Sequence, residues 1–368
     1  MSDEYSYGRY YSPNFKERWS RRFLDNWRGE RPWPLLRPLG AAYGLGAALR
    51  RRLYEALRPA AKASVPVISV GNLTLGGSGK TPVCLTLAKL LRAQGLTPAV
   101  LSRGYGRTDI GRTDLSWVVS RGRGPEGSPA ESGDEPWLMA EQLPELRVLV
   151  DADRARAART AVEHLEADIL ILDDGFQQLS LAADCRILLV PARNPFGNGA
   201  VLPAGPLREP LKFHRLADIL ISTGADRPAP EVMELAGGRP VFAAQYRSTG
   251  WRRLGQKEMS SPEALAGKRV FAFCGLGRPE NFENSLKKLG LDIRYFAALP
   301  DHQKYDKEAL DGLGLGFMAT GADFLVTTAK DAVKLPADFP FPVMVLQMEM
   351  DLKPEDEFIH TVLRIAKK

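Results

Sequence analysis

The chain has 368 residues, a net charge of +6 and an apolar fraction of 44%, which predicts two globular domains with cores large enough to fold unaided. No repeat of fixed period and no long low-complexity tract is present, which excludes solenoid and disordered classes. Three distant cysteines in apolar runs, Cys84, Cys185 and Cys274, and four histidines without zinc spacing exclude a disulfide scaffold and a Cys/His metal site.

The charge is unevenly placed. Residues 1–60 hold twelve Arg or Lys against six Asp or Glu, so the whole excess lies there, together with Trp19, Trp27 and Trp33. Such a segment suits an anionic membrane surface or nucleic acid, or is a solvated basic extension. The remainder is balanced and offers no second basic stripe, which argues against a nucleic-acid partner. The N-terminus is too polar for a secretory signal, and the apolar stretch Pro38–Leu49 is shorter than the roughly 20 residues a spanning helix needs. Any membrane contact is therefore expected to be peripheral.

Residues 1–34 are a basic extension with little periodicity. Leu35–Leu57 then reads as a helix, with Leu39, Tyr43, Gly46, Leu49, Leu53 and Leu57 at three- and four-residue steps and Arg50, Arg51, Arg52 and Arg58 near its end. It is either packed on the core or lies in a lipid interface. Strands are expected at Val65–Val70, Pro98–Ser102, Arg147–Val150, Asp168–Leu172, Arg186–Val190 and Asp218–Ser222, alternating with helices. Most are apolar without alternation, as strands buried on both faces should be, so the unit 35–238 is an α/β domain with a doubly wound, mostly parallel sheet. Arg239–Leu254 reads as two strand-like pieces around Ser248-Thr249-Gly250, placing a β-ribbon linker at 239–258. A smaller α/β domain, 259–368, follows, with strands at Arg269–Cys274, Asp292–Phe296, Phe324–Thr328 and Val343–Gln347 and helices at Pro279–Leu289 and Lys307–Ala319.

The most informative stretch is Val67–Pro82, VISVGNLTLGGSGKTP: a buried strand, a glycine cluster, then a helix from Thr81 that stops near Gly95. Thr74, Leu75, Gly76, Gly77, Ser78 and Gly79 would turn backbone N–H groups toward an anion at the helix N-terminus, as in a P-loop. Lys80 would contact the β- and γ-phosphates and the Thr81 hydroxyl would bind Mg²⁺. Thr74 stands where the usual pattern has its first Gly. Asp168–Gly175 is a hydrophobic strand ending in Asp173 and Asp174, where nucleotide enzymes place a carboxylate for Mg²⁺. A membrane-associated ATPase switch of the partitioning type is the alternative, but it carries a Lys where this chain has Leu75.

Other residues have bland readings of their own. Ser132-x-x-Glu135 is a capping box, with Asp134 favoured near a helix N-terminus. His302 is a lone loop histidine, and Gly275-Leu276-Gly277 is a tight turn. Arg193, Arg208, Lys212 and Arg215 surround the loop Pro191–Pro210, either as a solvated rim or as ligand contacts at strand C-terminal ends.

Taken together, Ser69–Pro82, Leu101–Arg107 (LSRGYGR), Gly133–Pro136 (GDEP), Asp173–Gln177 (DDGFQ), Asn194–Asn198 with Leu202–Pro210 (LPAGPLREP), Gly275–Phe282 (GLGRPENF), Asp301-His302 and Thr327–Leu335 resemble the tetraacyldisaccharide 4′-kinase family of lipid A synthesis. Gln178, Ala200 and Ala329 stand where that family commonly has His, Arg and Glu. The resemblance implies transfer of the γ-phosphoryl group of ATP, with Mg²⁺, to the 4′-hydroxyl of an acylated glucosamine disaccharide 1-phosphate. It implies peripheral work at the cytoplasmic face of the bacterial inner membrane, in a cleft between a P-loop domain and a smaller α/β domain joined by a β-ribbon. It makes Asp134 the catalytic base or its close partner, Glu135 a metal-site carboxylate, and His302 the residue facing Asp134. With such a substrate, the position of Arg193, Arg208, Lys212 and Arg215 around that loop suggests some of them, Arg193, Arg208 and Arg215 foremost, as contacts of its 1-phosphate.

Overall fold

The computed structural model describes residues 27, 29, 33–107, 115–300, 303 and 305–367. Ten helices occur among them: α1 (Arg37–Leu57), α2 (Lys80–Ala93), α3 (Pro129–Ser132), α4 (Asp134–Gln142), α5 (Arg154–Leu165), α6 (Pro230–Ala236), α7 (Pro279–Lys288), α8 (Lys307–Thr320), α9 (Ala329–Ala332) and α10 (Glu355–Ala366). The strands are β1 (Val67–Asn72), β2 (Pro98–Ser102), β3 (Trp117–Arg121), β4 (Arg147–Val150), β5 (Ile169–Asp173), β6 (Cys185–Pro191), β7 (Ile219–Thr223), β8 (Val241–Arg253), β9 (Met259–Ser260), β10 (Arg269–Cys274), β11 (Asp292–Ala298), β12 (Phe324–Thr328) and β13 (Val343–Lys353).

All thirteen strands form one sheet, in the order β11-β10-β12-β13-β8-β7-β6-β1-β5-β2-β4-β3, with β9 paired to β8. Strands β1, β2, β5 and β7 are buried along their whole length, and their uninterrupted apolar runs follow from helices on both faces. β1 lies between β5 and β6 and parallel to both. The chain leaves β1 toward β2 on one side and later crosses from β5 to β6 on the other. β1 therefore ends at the point where the winding reverses, the crevice in which open α/β sheets bind ligands. The edge strand β3, antiparallel to β4, has no counterpart among the sequence expectations. Its mixed run Trp-Val-Val-Ser-Arg is buried only at Val119 and Ser120.

The ribbon differs from expectation. Val241–Arg253 is one continuous strand, not two pieces turning at Ser248–Gly250, and its partner is β13, paired antiparallel from Met344↔Arg253 to Lys353↔Ala243. The chain goes out along β8 and returns along β13. Its last helix, α10, then packs in the first core. Phe358, Ile359, Val362 and Ala366 lie with Ile68, Val83, Leu87 and Ile187. The last helix of the span 259–368 thus lies in the first core, where α2 and β6 cover its apolar side. The second core is built on β10, β12 and β13 with Phe271, Phe273, Leu325 and Val345.

Helix α1 does not bury its apolar stripe in the core. Leu39, Tyr43, Leu45, Leu49, Leu53 and Leu57 are exposed, and its buried residues are Gly40, Gly44 and Arg51. A side chain at Gly40 would put Cβ 2.8 Å from the Val201 carbonyl oxygen and 2.9 Å from Ala204 Cβ, so the helix sits on the loop 199–210 through its smallest residues. The Trp27 indole N–H donates to the Pro203 carbonyl at 3.1 Å, on the same loop.

Phe358 is fully buried, with its ring 5.2 Å from that of Phe242 in an edge-on pair. Phe358→Ala is expected to cost about 3–5 kcal/mol in chemical denaturation. A loss under about 1 kcal/mol would mean that α10 is not part of the first core.

Candidate active site

Strand β1 ends at Asn72, and the glycine loop returns the chain to α2. Gly79 caps that helix with φ 83°, a left-handed conformation that a β-carbon would strain, and Lys80 is the first helical residue, one earlier than expected. Thr74 is not in the tight turn at all. It is buried, and forms a β-bridge with Leu207; Arg208 N donates to Leu73 O and Leu75 N to Pro206 O, both at 2.8 Å. That pairing explains why no glycine is needed there: the first half of the loop is extended, and Gly76 (φ 102°) starts the turn. Ser78 is buried with its hydroxyl unpartnered by protein, and Leu75 is exposed.

Lys80 folds back over the strand end. Its Nζ lies 3.4 Å from Asn72 Oδ1 and 3.6 Å from Asp174 Oδ1. Arg208 Nη1 donates to both Asp174 oxygens, at 2.9 and 2.7 Å. Burial works to raise the Asp174 carboxyl, but Lys80 and Arg208 outweigh it and hold the group below the usual carboxylate range. Asp173 is its opposite. It is buried at the end of β5, accepting from Ser102 Oγ at 3.2 Å and from the Cys84 thiol at 3.8 Å. Burial, then the nearby Glu135 and Asp174 charges, push it up to about 7, with Lys80 and Ser102 acting the other way. All three cysteines are buried and free, as expected.

Asp134 and Glu135 open α4. The expected Ser132–Glu135 capping box does not form. Ser132 Oγ donates to Ser128 O at 2.8 Å, and the capping box is the earlier pair Ser128–Glu131, at the start of α3. Glu135 is thereby free to accept from the Thr81 hydroxyl at 3.3 Å, and its other oxygen lies 3.4 Å from Lys330 Nζ. Asp134 Oδ2 lies 3.7 Å from Lys334 Nζ, which is also 3.5 Å from the fully buried Asp331. Asp331 in turn accepts from Gly275 N at 3.0 Å and from the Thr328 hydroxyl at 2.8 Å, which fixes the Gly275 turn to α9.

The structure therefore brings together Lys80, Thr81, Asp134, Glu135, Asp173, Asp174 and Arg208. Asp174, expected among the metal ligands, points to Lys80 and Arg208. Arg193 and Arg215 are exposed and line no part of a groove that runs between α1 and the loop 198–212, whereas Lys212 does. His302 lies outside the described residues. Sequence reasoning left Lys330 and Lys334 out of the site, although they follow a buried strand within the Thr327–Leu335 motif. Asn72 and Gln177, whose amide donates to Asn72 O at 2.9 Å, are further supports it did not single out.

The Thr81 hydroxyl with the Glu135 and Asp173 carboxyl groups makes an all-oxygen donor set, which fits a hard divalent cation. Among the described residues no group of three or more His, Cys, Asp or Glu side chains forms a metal cage by itself. Mg²⁺ takes one or two carboxylates and completes its shell with substrate phosphate and water.

A family profile described as tetraacyldisaccharide-1-P 4′-kinase, LpxK, matches residues 32–367. The chain belongs to this kinase family. Among its relatives, the tetraacyldisaccharide 4′-kinase of Anaeromyxobacter dehalogenans (strain 2CP-C) is 43% identical over 324 residues, covering 84% of this chain and 85% of the relative. That of Syntrophus aciditrophicus (strain SB) is 39% identical over 350 residues, covering 90% and 93%. A crystal structure of LpxK from Aquifex aeolicus, in complex with ATP, is similar with a TM-score of 0.73 and 34% identity, covering 90% of this chain and 98% of that one. Family membership accounts for the co-occurrence of the phosphate loop, the GDEP turn and the DDGFQ turn in one crevice.

The raised Asp173 has a consequence for this kinase without nucleotide or metal. A carboxyl raised from ~3.9 to about 7 on folding adds stability that is full below the lower value and lost as pH rises through the upper one. The melting temperature in chelator is expected to fall from about pH 5 to about pH 8 more steeply in wild type than in Asp173→Asn. Parallel profiles would contradict it.

Proposed function

We propose that the protein transfers the γ-phosphoryl group of ATP to the 4′-hydroxyl of a tetraacyldisaccharide 1-phosphate, giving the 1,4′-bisphosphate and ADP. The observation that carries this reading is the meeting of Lys80, Thr81 and the carboxylates of Asp173 and Glu135 at the end of a phosphate loop, in a member of the 4′-kinase family. The loop's N–H groups and Lys80 hold the β- and γ-phosphates. Thr81, Glu135 and Asp173 would hold Mg²⁺, which supplies charge neutralisation on the phosphates when bound. Asp134 takes the proton of the acceptor hydroxyl as the new O–P bond forms and the β–γ bridging oxygen leaves with ADP, and His302 is the partner proposed to face it. Lys334 lies beside Asp134 and Lys330 beside Glu135, both from the second unit, so the approach of the two units completes the charge pattern.

The acceptor would enter along α1. A groove of about 560 Å³ between that helix and the loop 198–212 is lined by Arg37, Leu45, Ala48, Val201, Pro210 and Lys212, an apolar floor with a cation from each wall. The exposed leucines of α1, with Arg50, Arg52 and Arg58 beside them, suit an anionic lipid surface. Among the described residues no helix is long and apolar enough to cross a membrane. We place the protein peripherally at the cytoplasmic face of the inner membrane.

Two experiments follow. Lys80→Ala is expected to abolish transfer of labelled phosphate to the disaccharide, and Asp134→Asn to lower kcat by about 10²–10⁴-fold, with circular dichroism unchanged in both. Near-wild-type kcat in Asp134→Asn would return that residue to a helix-terminal role, since Asn suits such a position as well. The variant Leu45→Ser/Leu49→Ser/Leu53→Ser should sediment less with anionic vesicles than wild type while binding ATP equally. Equal sedimentation would remove α1 as the lipid-facing element.

A further inference from the structure

The charged residues of α1 divide into two kinds. Arg50 and Arg52, and Arg58 just past the helix, are exposed, but Arg51 is buried, with 6% of its surface accessible, and points inward. Its Nη2 lies 3.1 and 3.2 Å from the two Glu209 carboxylate oxygens and donates to the Phe176 carbonyl at 3.2 Å, while its guanidinium lies over the Phe213 ring at 5.0 Å. Both polar partners are neighbours of the phosphate site in the chain. Phe176 belongs to the turn that follows Asp173 and Asp174. Glu209 follows Arg208, whose side chain holds Asp174 and whose backbone N–H bonds Leu73 O in the phosphate loop.

A buried arginine–glutamate pair is a poor source of net stability, because desolvation offsets most of the attraction. Its effect on geometry is more specific. With Glu209 fixed from one side and the Leu73 and Leu75 backbone bonds from the other, residues 206–209 have little freedom, and Arg208 is aimed at Asp174. Asp174 then stays beside Lys80.

We propose that Arg51 is a positioning residue for the nucleotide-phosphate site, acting through Glu209 and Arg208 on the Asp174–Lys80 pair. The inference rests on the reading of that site as the ATP site. It also ties the helix with the exposed leucines to the phosphate loop through one side chain.

The test is the affinity of Mg²⁺–ATP by calorimetry, in wild type, Arg51→Met, Arg51→Lys and Arg51→Met/Glu209→Gln. The last removes both buried charges together and avoids leaving one unpaired, so it keeps the experiment informative if Arg51→Met does not fold. Arg51→Met and the paired variant are expected to bind ATP about tenfold or more weakly, the range seen when the residues supporting a ligand-binding group are lost, with Arg51→Lys in between. The loss should appear in the KM for ATP and leave kcat within about threefold. In an Arg208→Met background the Arg51→Met change should add little, because the two act in series. A paired variant that melts like wild type and binds ATP within about threefold of it would overturn the proposal, as would losses that add fully to those of Arg208→Met. Wild type that binds no Mg²⁺–ATP would overturn the ATP-site reading, and this inference with it.

Discussion

Charge balance at the mouth of the parallel sheet is the constraint on which the rest of the site depends. The carboxylates of Asp134, Glu135, Asp173 and Asp174 meet the cations of Lys80, Arg208, Lys330 and Lys334 in one crevice, with Asp331 sharing Lys334. Asp174 has two cations and is held ionised. Asp173 is buried between like charges and is pushed up to about 7. Carboxylates perturbed in opposite directions concentrate at functional sites. Around Asp173, β1, β5 and β6 are almost wholly buried.

The cations do not all come from the domain that holds the phosphate loop. Lys80 and Arg208 belong to it, whereas Lys330 and Lys334 lie on or just after α9, beyond the ribbon. The ribbon is a pair of long antiparallel strands, β8 and β13, and α10 after it is packed in the first core. The second unit is thus anchored to the first at both of its chain connections. Lys330 lies beside Glu135 and Lys334 beside Asp134, so side chains from both sides of the ribbon meet in the crevice.

Much of this was legible in the sequence, and the parts that were not have identifiable causes. The buried strands β1, β2, β4, β5 and β7 fall within two residues of their expected ends, because uninterrupted apolar runs bounded by turn residues are strong signals. The phosphate loop was legible from its strand–glycine–helix context, but the role of Thr74 was not, since its partner Leu207 lies far along the chain and only folding brings them together. The same holds for β8 and β13, whose pairing spans about a hundred residues, and for Arg208 with Asp174. The apolar periodicity of α1 was visible, but the burial of the opposite face followed from Gly40 and Gly44, which carry no hydropathic signal. Ser132–Glu135 and Ser128–Glu131 both satisfy the capping pattern, and only the fold decides between them.

Everything in this crevice serves the movement of a phosphoryl group from ATP to one hydroxyl of a lipid disaccharide. The most direct measurement is the ³¹P and proton NMR spectrum of the lipid recovered after incubation with Mg²⁺–ATP and tetraacyldisaccharide 1-phosphate. The account predicts a second phosphomonoester on the 4′ position, formed in step with ADP. ATP consumed to inorganic phosphate, with the disaccharide unchanged, would contradict it.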